Sequence, residues 1–207
     1  MIGHRLQASA PRGPGEPVAA ARKEELRRTA RVVRDAIAPE PRRRAAESAA
    51  GNLLALPRLT GARRVALFAA VGSELDATAA ARGLRARGVE IAYPRVVPGA
   101  RRLEFHLVGD EGELRPGAFG IPEPAADAPV APVQSIDAFV VPGLAFDDGG
   151  ARIGWGRGYY DRSLAAVPGR LRIGYCFECQ LVPEVPLEPS DLPMHAIVTE
   201  TGARVMS

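Results

Sequence analysis

Val65–Tyr93 reads VALFAAVGSELDATAAARGLRARGVEIAY, and this stretch decides the fold. Val65-Ala66-Leu67-Phe68-Ala69 is a continuous apolar run of strand length, bounded by Arg63-Arg64 and by Gly72. Ser73 or Asp76 can cap a helix that runs to Arg87 and closes at Gly88. Val89 to Tyr93 is the next strand. Strand, helix and strand within about thirty residues form a βαβ unit, whose crossover sets the two strands parallel in one sheet.

Upstream, Leu26, Ala30, Val33 and Ile37 recur at helical spacing, so a helix is expected from Ala19 to Ile37, with Pro39 beyond it. Lys23, Arg27 and Arg31 line one face of that helix. A second helix covers Glu40 to Leu56 and ends at Pro57. Downstream, Leu103 to Leu107 alternates polar and apolar side chains, the mark of a half-exposed strand. Residues 115–133 are proline-rich and read as a long pinned loop. Ile136 to Val141 is a buried strand ended by Pro142-Gly143, and Asp148-Gly149 is a turn. A helix from Tyr159 to Ala166 and strands at Arg172–Phe177 and Ala196–Thr199 complete the pattern. The sum is an α/β chain with one mostly parallel, twisted sheet of about six strands flanked by helices, a Rossmann-like arrangement. Ligands bind such sheets outside the carboxyl ends of the strands. Glu74, the segment after Tyr93, Asp147 and the glycines near residue 156 all follow expected strands and are placed on one rim.

A chain of 207 residues with 46% hydrophobic and 25% charged residues suits a single soluble domain. No apolar run reaches the length of a membrane span, so no membrane association is expected. Residues 1–18, rich in proline and glycine, read as a disordered extension ahead of a domain over 19–207. The net charge of +3 is small, and acidic residues are interspersed around the arginines at 27, 28, 31, 34 and 42–44. These read as solvated helix faces, and no nucleic-acid partner is expected. Cys176 and Cys179 lack a second ligand pair for zinc, and Gly174-Tyr175-Cys176-Phe177 reads as a strand where a redox motif should open a helix, so both are read as small core residues. Unpaired thiols fit a reducing cytoplasm.

Gly154-Trp155-Gly156-Arg157-Gly158-Tyr159-Tyr160-Asp161 carries the chemistry. Glycine at every second position lets a backbone approach a ligand and present its N–H groups, and Arg157 adds a permanent cation. A polyphosphate needs such donors, such a charge, and a nearby carboxylate for its metal. The spacing is neither the dinucleotide fingerprint nor a Walker A loop. Glycine-rich hairpin tips also occur without ligands, so the segment alone leaves both readings open.

With these elements placed, the chain resembles the 5-formyltetrahydrofolate cyclo-ligase family, also called methenyltetrahydrofolate synthetase, from about Ala21 to Gly202. The most specific match is Val141-Pro142-Gly143-Leu144-Ala145-Phe146-Asp147 followed by Gly154 to Arg162. Lys23-Glu24-Glu25-Leu26-Arg27, Glu74 to Thr78, Tyr93-Pro94-Arg95-Val96, Phe119 to Pro124 and Asp191-Leu192-Pro193-Met194 support it. The resemblance implies a fold similar to the sugar-phosphate isomerase and CoA-transferase type. It implies an ATP- and Mg²⁺-dependent cyclisation of 5-formyltetrahydrofolate to 5,10-methenyltetrahydrofolate, in which the formyl oxygen takes the γ-phosphoryl group and N10 then attacks the carbon. Carried over residue by residue, Lys23, Arg27 and Arg157 act on the phosphates. Arg152, Ile153, Gly154, Trp155, Gly156, Arg157, Gly158, Tyr159 and Tyr160 cradle the nucleotide together with Lys23 and Arg27. Ala69, Glu74, Trp155 and Tyr159 meet the folate, and Asp161 and Asp191 hold Mg²⁺. A monomer or weak homo-oligomer is expected.

Departures from the family pattern are His195, where a second Asp is usual, Trp155 for Arg or Tyr, and Arg157 for Lys or Gly. The competing expectations are a divergent member that binds nucleotide or folate without cyclising it, and a basic module that binds RNA or protein. A sugar-phosphate isomerase would need a base that the sequence does not display.

Overall fold

The computed structural model describes residues 16–206. Along them run α1 (Glu16–Asp35), α2 (Pro39–Leu54), β1 (Arg64–Ala66), α3 (Thr78–Arg85), β2 (Glu90–Val97), β3 (Arg102–Leu107), β4 (Arg115–Pro116) and β5 (Pro122–Glu123). After them come β6 (Ala138–Val141), β7 (Ala145–Phe146), β8 (Arg152–Ile153), α4 (Tyr159–Leu164), β9 (Leu171–Tyr175), β10 (Ala196–Thr199) and β11 (Gly202–Val205). The expected N-terminal extension lies, up to residue 15, outside the described residues. Among the described residues no helix is long and apolar enough to cross a membrane.

The main sheet has seven strands in the order β11-β10-β9-β6-β1-β2-β3. β10, β9, β6, β1 and β2 are mutually parallel, and β3 and β11 pair antiparallel at the two edges. The βαβ unit is present as expected: Val65 stands in register with Ile91, and the Asp76 carboxylate accepts the Thr78 N–H at 2.8 Å at the start of α3. The strand beyond the expected six is β11, Gly-Ala-Arg-Val. It lacks an apolar run because one face is solvated, so only its pairing of Ala196 with Val205 reveals it.

Strand alternation divides the core. Val65, Ile91, Val140, Ile173 and Val198 point to the face covered by α2 and α3. Ala66, Phe139, Val141 and Ile197 point to the face closed by Phe105 and by Leu164 of α4. A smaller cluster beneath α1 joins Ala30 to Leu144, Ala145, Ile153 and Val185. The proline-rich loop is pinned by the short β4–β5 ladder and by a bridge from Val130 to His106.

The reading of both cysteines as core residues holds for Cys176, which is buried, and fails for Cys179, which is exposed. Cys176 still continues β9, whereas Cys179 lies on the 3-10 turn at 178–180 that follows it. In that turn Glu178 accepts from Thr199, Thr201 and Arg204, tying it to β10 and β11. Chiefly through the Arg204 hydrogen bond, its carboxyl is held at about 2, below the ordinary value of 4.5. A depressed folded-state value gives stability that is fully present above the unfolded value and is lost as pH falls toward the folded one. Thermal stability should therefore decline between about pH 5 and pH 2, and Glu178→Gln should flatten that decline. Denaturation scans across that range test this.

Candidate functional site

α1 packs against β7, β8 and the turn at 178–180, beyond the carboxyl ends of β6 and β9. Its buried side differs from the expected one. Ala30 is buried, but Val33 is 40% exposed, while Lys23 and Arg34 are only 7% and 3% exposed. The partners beneath α1 explain this: Asp191, Ser73 and Glu74 face it along with the apolar cluster, so cations are the complementary side chains there.

The glycine segment leaves β8, which pairs antiparallel with β7. Asp147 holds the intervening turn, accepting from Gly149 and Ala151 through Oδ1 and from Val185 through Oδ2. Its carboxylate is consumed in this way and does not line the rim as expected. Arg27 donates from Nε to the Gly154 carbonyl at 3.1 Å. At Gly156 φ is +82°, and a Cβ there would come to 3.3 Å from the Arg27 guanidinium. Only glycine permits both features without strain, and Gly156→Ala should cost about 1–2 kcal/mol of stability, measurable by denaturant titration.

Past it, Trp155 is 51% exposed, lies under the guanidinium groups of Arg31 and Arg34, and donates Nε1–H to Glu74 Oε1 at 3.3 Å. Arg157 stacks at 4.2 Å over Phe119, a non-glycine residue held at φ +58°. Among the described residues Arg157 makes no ion pair. Tyr159 and Tyr160 open α4, behind Gly158 in the left-handed conformation. Burial pushes the Tyr160 hydroxyl above its usual range.

Two ion pairs lie beside this loop. Arg152 holds both oxygens of Asp161, at 3.1 and 3.0 Å. Lys23 contacts Asp191 at 2.8 Å and Glu188 at 3.0 Å. Burial alone would lower the Lys23 pKa, but the bonds to Asp191 and Glu188 outweigh it and raise it. Asp161 also accepts the Leu192 N–H at 3.3 Å, so the two aspartates are brought close by the chain between Asp191 and Leu192. Among the described residues there is no cluster of three or more His, Cys, Asp or Glu. Mg²⁺ needs only one or two carboxylates when phosphates and water complete its shell, so this pair of aspartates fits that ion. His195 stands apart from them. Its Nδ1 accepts the Arg172 N–H at 3.0 Å, and burial with the Arg172 and Arg58 charges lowers its pKa.

Beyond β1 opens a cleft of about 700 Å³ lined by Phe68, Ala69, Glu74, Tyr93, Leu114 and Arg42, among others. Burial raises the Glu74 pKa against the opposing pull of the Val71 N–H, Arg34 and Trp155. The Tyr93 hydroxyl donates to Glu111 at 2.6 Å on the same wall.

A model of the 5-formyltetrahydrofolate cyclo-ligase family matches residues 19–200. The chain belongs to that family. The 5-formyltetrahydrofolate cyclo-ligase of Escherichia coli K12 is 33% identical over 170 residues, covering 80% of this chain and 93% of that protein. The enzyme of the same name from Mycolicibacterium smegmatis is 32% identical, covering 83% and 91%. Among solved structures, the Aquifex aeolicus 5,10-methenyltetrahydrofolate synthetase superposes with a TM-score of 0.78 at 33% identity, over 89% of this chain and 92% of that one. A Mycoplasma pneumoniae synthetase, at 20% identity and a TM-score of 0.71, shares the fold.

Of the residues singled out by resemblance to the cyclo-ligases, Lys23, Arg27, Arg152, Gly154, Gly156, Asp161 and Asp191 meet along one edge of α1. Ala69 and Glu74 line the cleft, and Trp155 reaches from the first group to the second. Ile153 is buried beneath α1, so it can face a ligand only through its main chain. The sequence reading missed Arg34, Ser73, Tyr93 and Phe119. Arg34 carried a signal, because it follows Lys23 by about three turns of helix and so shares its face.

Proposed function

We propose that this protein catalyses the ATP- and Mg²⁺-dependent cyclisation of 5-formyltetrahydrofolate to 5,10-methenyltetrahydrofolate, with release of ADP and phosphate. The observation that carries this reading is the junction at Trp155. There the glycine-rich loop, with Arg27, Arg152 and the two aspartates beside it, is joined by the Trp155–Glu74 bond to a cleft that holds a largely buried carboxylate. The cleft suits a flat heterocycle with N–H donors, and the loop suits a polyphosphate.

The chemistry requires both. A formyl group on N5 is an amide and resists attack. Transfer of the γ-phosphoryl group of ATP to its oxygen forms an O–P bond as the bond from the γ-phosphorus to the β,γ-bridging oxygen breaks and ADP leaves, and it makes the formyl oxygen a leaving group. N10 then bonds to the formyl carbon, the C–O bond breaks, phosphate departs with the former formyl oxygen, and N10 gives up its proton. Arg27, Arg157 and the N–H groups of residues 154–158 neutralise phosphate charge and align the reactants. Asp161 and Asp191 would hold Mg²⁺, which when bound screens the polyphosphate. Without ligands each aspartate is paired with a cation, Arg152 or Lys23. Asp161 and Asp191 would be the residues to hold that metal, and the Lys23 ammonium, paired with Asp191 here, would then be available to phosphate. Ala69 and Trp155 border the pterin and Glu74 accepts from it, whereas Tyr159, expected beside them, lines a separate hollow with Arg95 and Phe119.

Purified protein mixed with 5-formyltetrahydrofolate, ATP and Mg²⁺ should develop the absorbance of the methenyl product, and omission of any one component should abolish it. No absorbance change, with nucleotide binding intact, would refute the reading in favour of a member that binds without cyclising.

A further inference from the structure

Arg34 is an expensive residue to place where it is. The guanidinium is 3% exposed, and its Nε donates to Ser73 Oγ at 2.9 Å. The Ser73 hydroxyl is in turn fixed by Asp35, which holds the acceptor of the Arg34 bond in place. Its Nη1 is buried and has no hydrogen-bond partner among the described residues. That nitrogen stands 3.8 Å from Glu74 Oε1, too far for a hydrogen bond.

Glu74 is incomplete in a matching way. Its side chain is only 8% exposed. Oε2 accepts the Val71 N–H at 3.0 Å, but Oε1 has only the long 3.3 Å bond from Trp155. A desolvated carboxylate oxygen with one weak donor thus faces a desolvated donor with no acceptor. Folding alone does not favour this, because each unmade bond in a dry site costs about 1–3 kcal/mol. An apolar side chain at position 34 would meet the need for burial.

We propose that Arg34 is a positioning residue for the folate cleft: it fixes Glu74 and the Trp155 indole so that Glu74 Oε1 is held open to accept an N–H of the reduced pterin ring. This rests on the proposed function and adds to it a residue that does not itself touch the reacting atoms. The charge of Arg34 favours the ionised, accepting form of Glu74, and its face supports the indole, 5.7 Å from the ring centroid. A pterin N–H arriving at Oε1 competes with the indole N–H. Trp155 is the chain's single tryptophan, so that competition is visible as a change in its emission.

The test compares the parent with Arg34→Met and Arg34→Lys. Affinity for 5-formyltetrahydrofolate is read from tryptophan emission, affinity for MgATP from calorimetry, and KM and kcat from product absorbance. Arg34→Met should weaken folate binding about tenfold or more while MgATP affinity stays within about twofold. Its ligand-free emission should differ from that of the parent, and Arg34→Lys, which keeps the charge, should recover part of the folate affinity. Should Arg34→Met fail to fold, Ser73→Ala removes the Nε acceptor and should shift folate affinity in the same direction by a smaller factor. Folate affinity unchanged in the variants, or both affinities falling together without recovery by lysine, would overturn the inference. A parent that binds no 5-formyltetrahydrofolate would instead refute the proposed function, and this inference with it.

Discussion

Replacing Lys23 by methionine is expected to lower turnover by about a thousandfold, near the loss seen when one preorganised donor to a transition-state charge is removed. Lys23 is a buried cation of the site, and two carboxylates, Asp191 and Glu188, close on its ammonium. Deleting the charge has two consequences. The first is loss of the cation proposed to meet phosphate. The second is that Asp191 and Glu188 face each other uncompensated. Glu188 is exposed enough to swing into water, but the Glu188 N–H still donates to Asp191 and keeps that carboxylate in place. Methionine fills much of the same volume, so the fold should persist. Steady-state kcat at saturating MgATP is the measurement, with thermal denaturation as the control for folding. A loss of less than about tenfold would remove Lys23 from the phosphate site.

Asp161→Asn is expected to damage stability as well as activity. Arg152 is 7% exposed and keeps both oxygens of Asp161 as partners, and its Nε has no partner among the described residues. Removing the carboxylate charge strands a buried guanidinium, which costs about 3 kcal/mol and lowers the melting temperature by roughly 6–12 °C in a domain of this size. The same substitution removes one of the two carboxylates proposed for Mg²⁺, and on that proposal the metal concentration for half-maximal activity should rise. The two effects separate experimentally. Melting in chelator reads the ion pair alone, and activity against Mg²⁺ concentration reads the metal. A variant that melts lower yet keeps the parent's Mg²⁺ dependence would make Asp161 a structural anchor for Arg152 and nothing more.

The parallel core of the sheet was legible from local pattern, because Val65–Ala69, Ile136–Val141 and Arg172–Phe177 each carry the apolar run that burial on both faces demands. β11 was not legible, since an edge strand with one wet face has no such run. β4 and β5 were not either, because short ladders among prolines are set by the residues they dock on. The most instructive failure is α1. Its apolar spacing pointed to Val33, but the side that packs carries Lys23, Ala30 and Arg34. Periodicity finds helices that cover a core, and part of α1 covers charged and hydroxyl groups instead. The glycine segment was readable because backbone exposure and conformation demand glycine itself at Gly156. The pairing of Asp161 with Arg152 and of Asp191 with Lys23 was not, since those contacts depend on where distant loops meet. Nor could spacing show that His195 turns to Arg172, away from both aspartates.

The central claim is that the formyl oxygen accepts the phosphoryl group and leaves with it. It is tested by supplying 5-formyltetrahydrofolate labelled with ¹⁸O in the formyl group and analysing the released phosphate by mass spectrometry. The account predicts one ¹⁸O atom in each phosphate released per methenyl product formed. Unlabelled phosphate, with the ¹⁸O recovered in water, would contradict it.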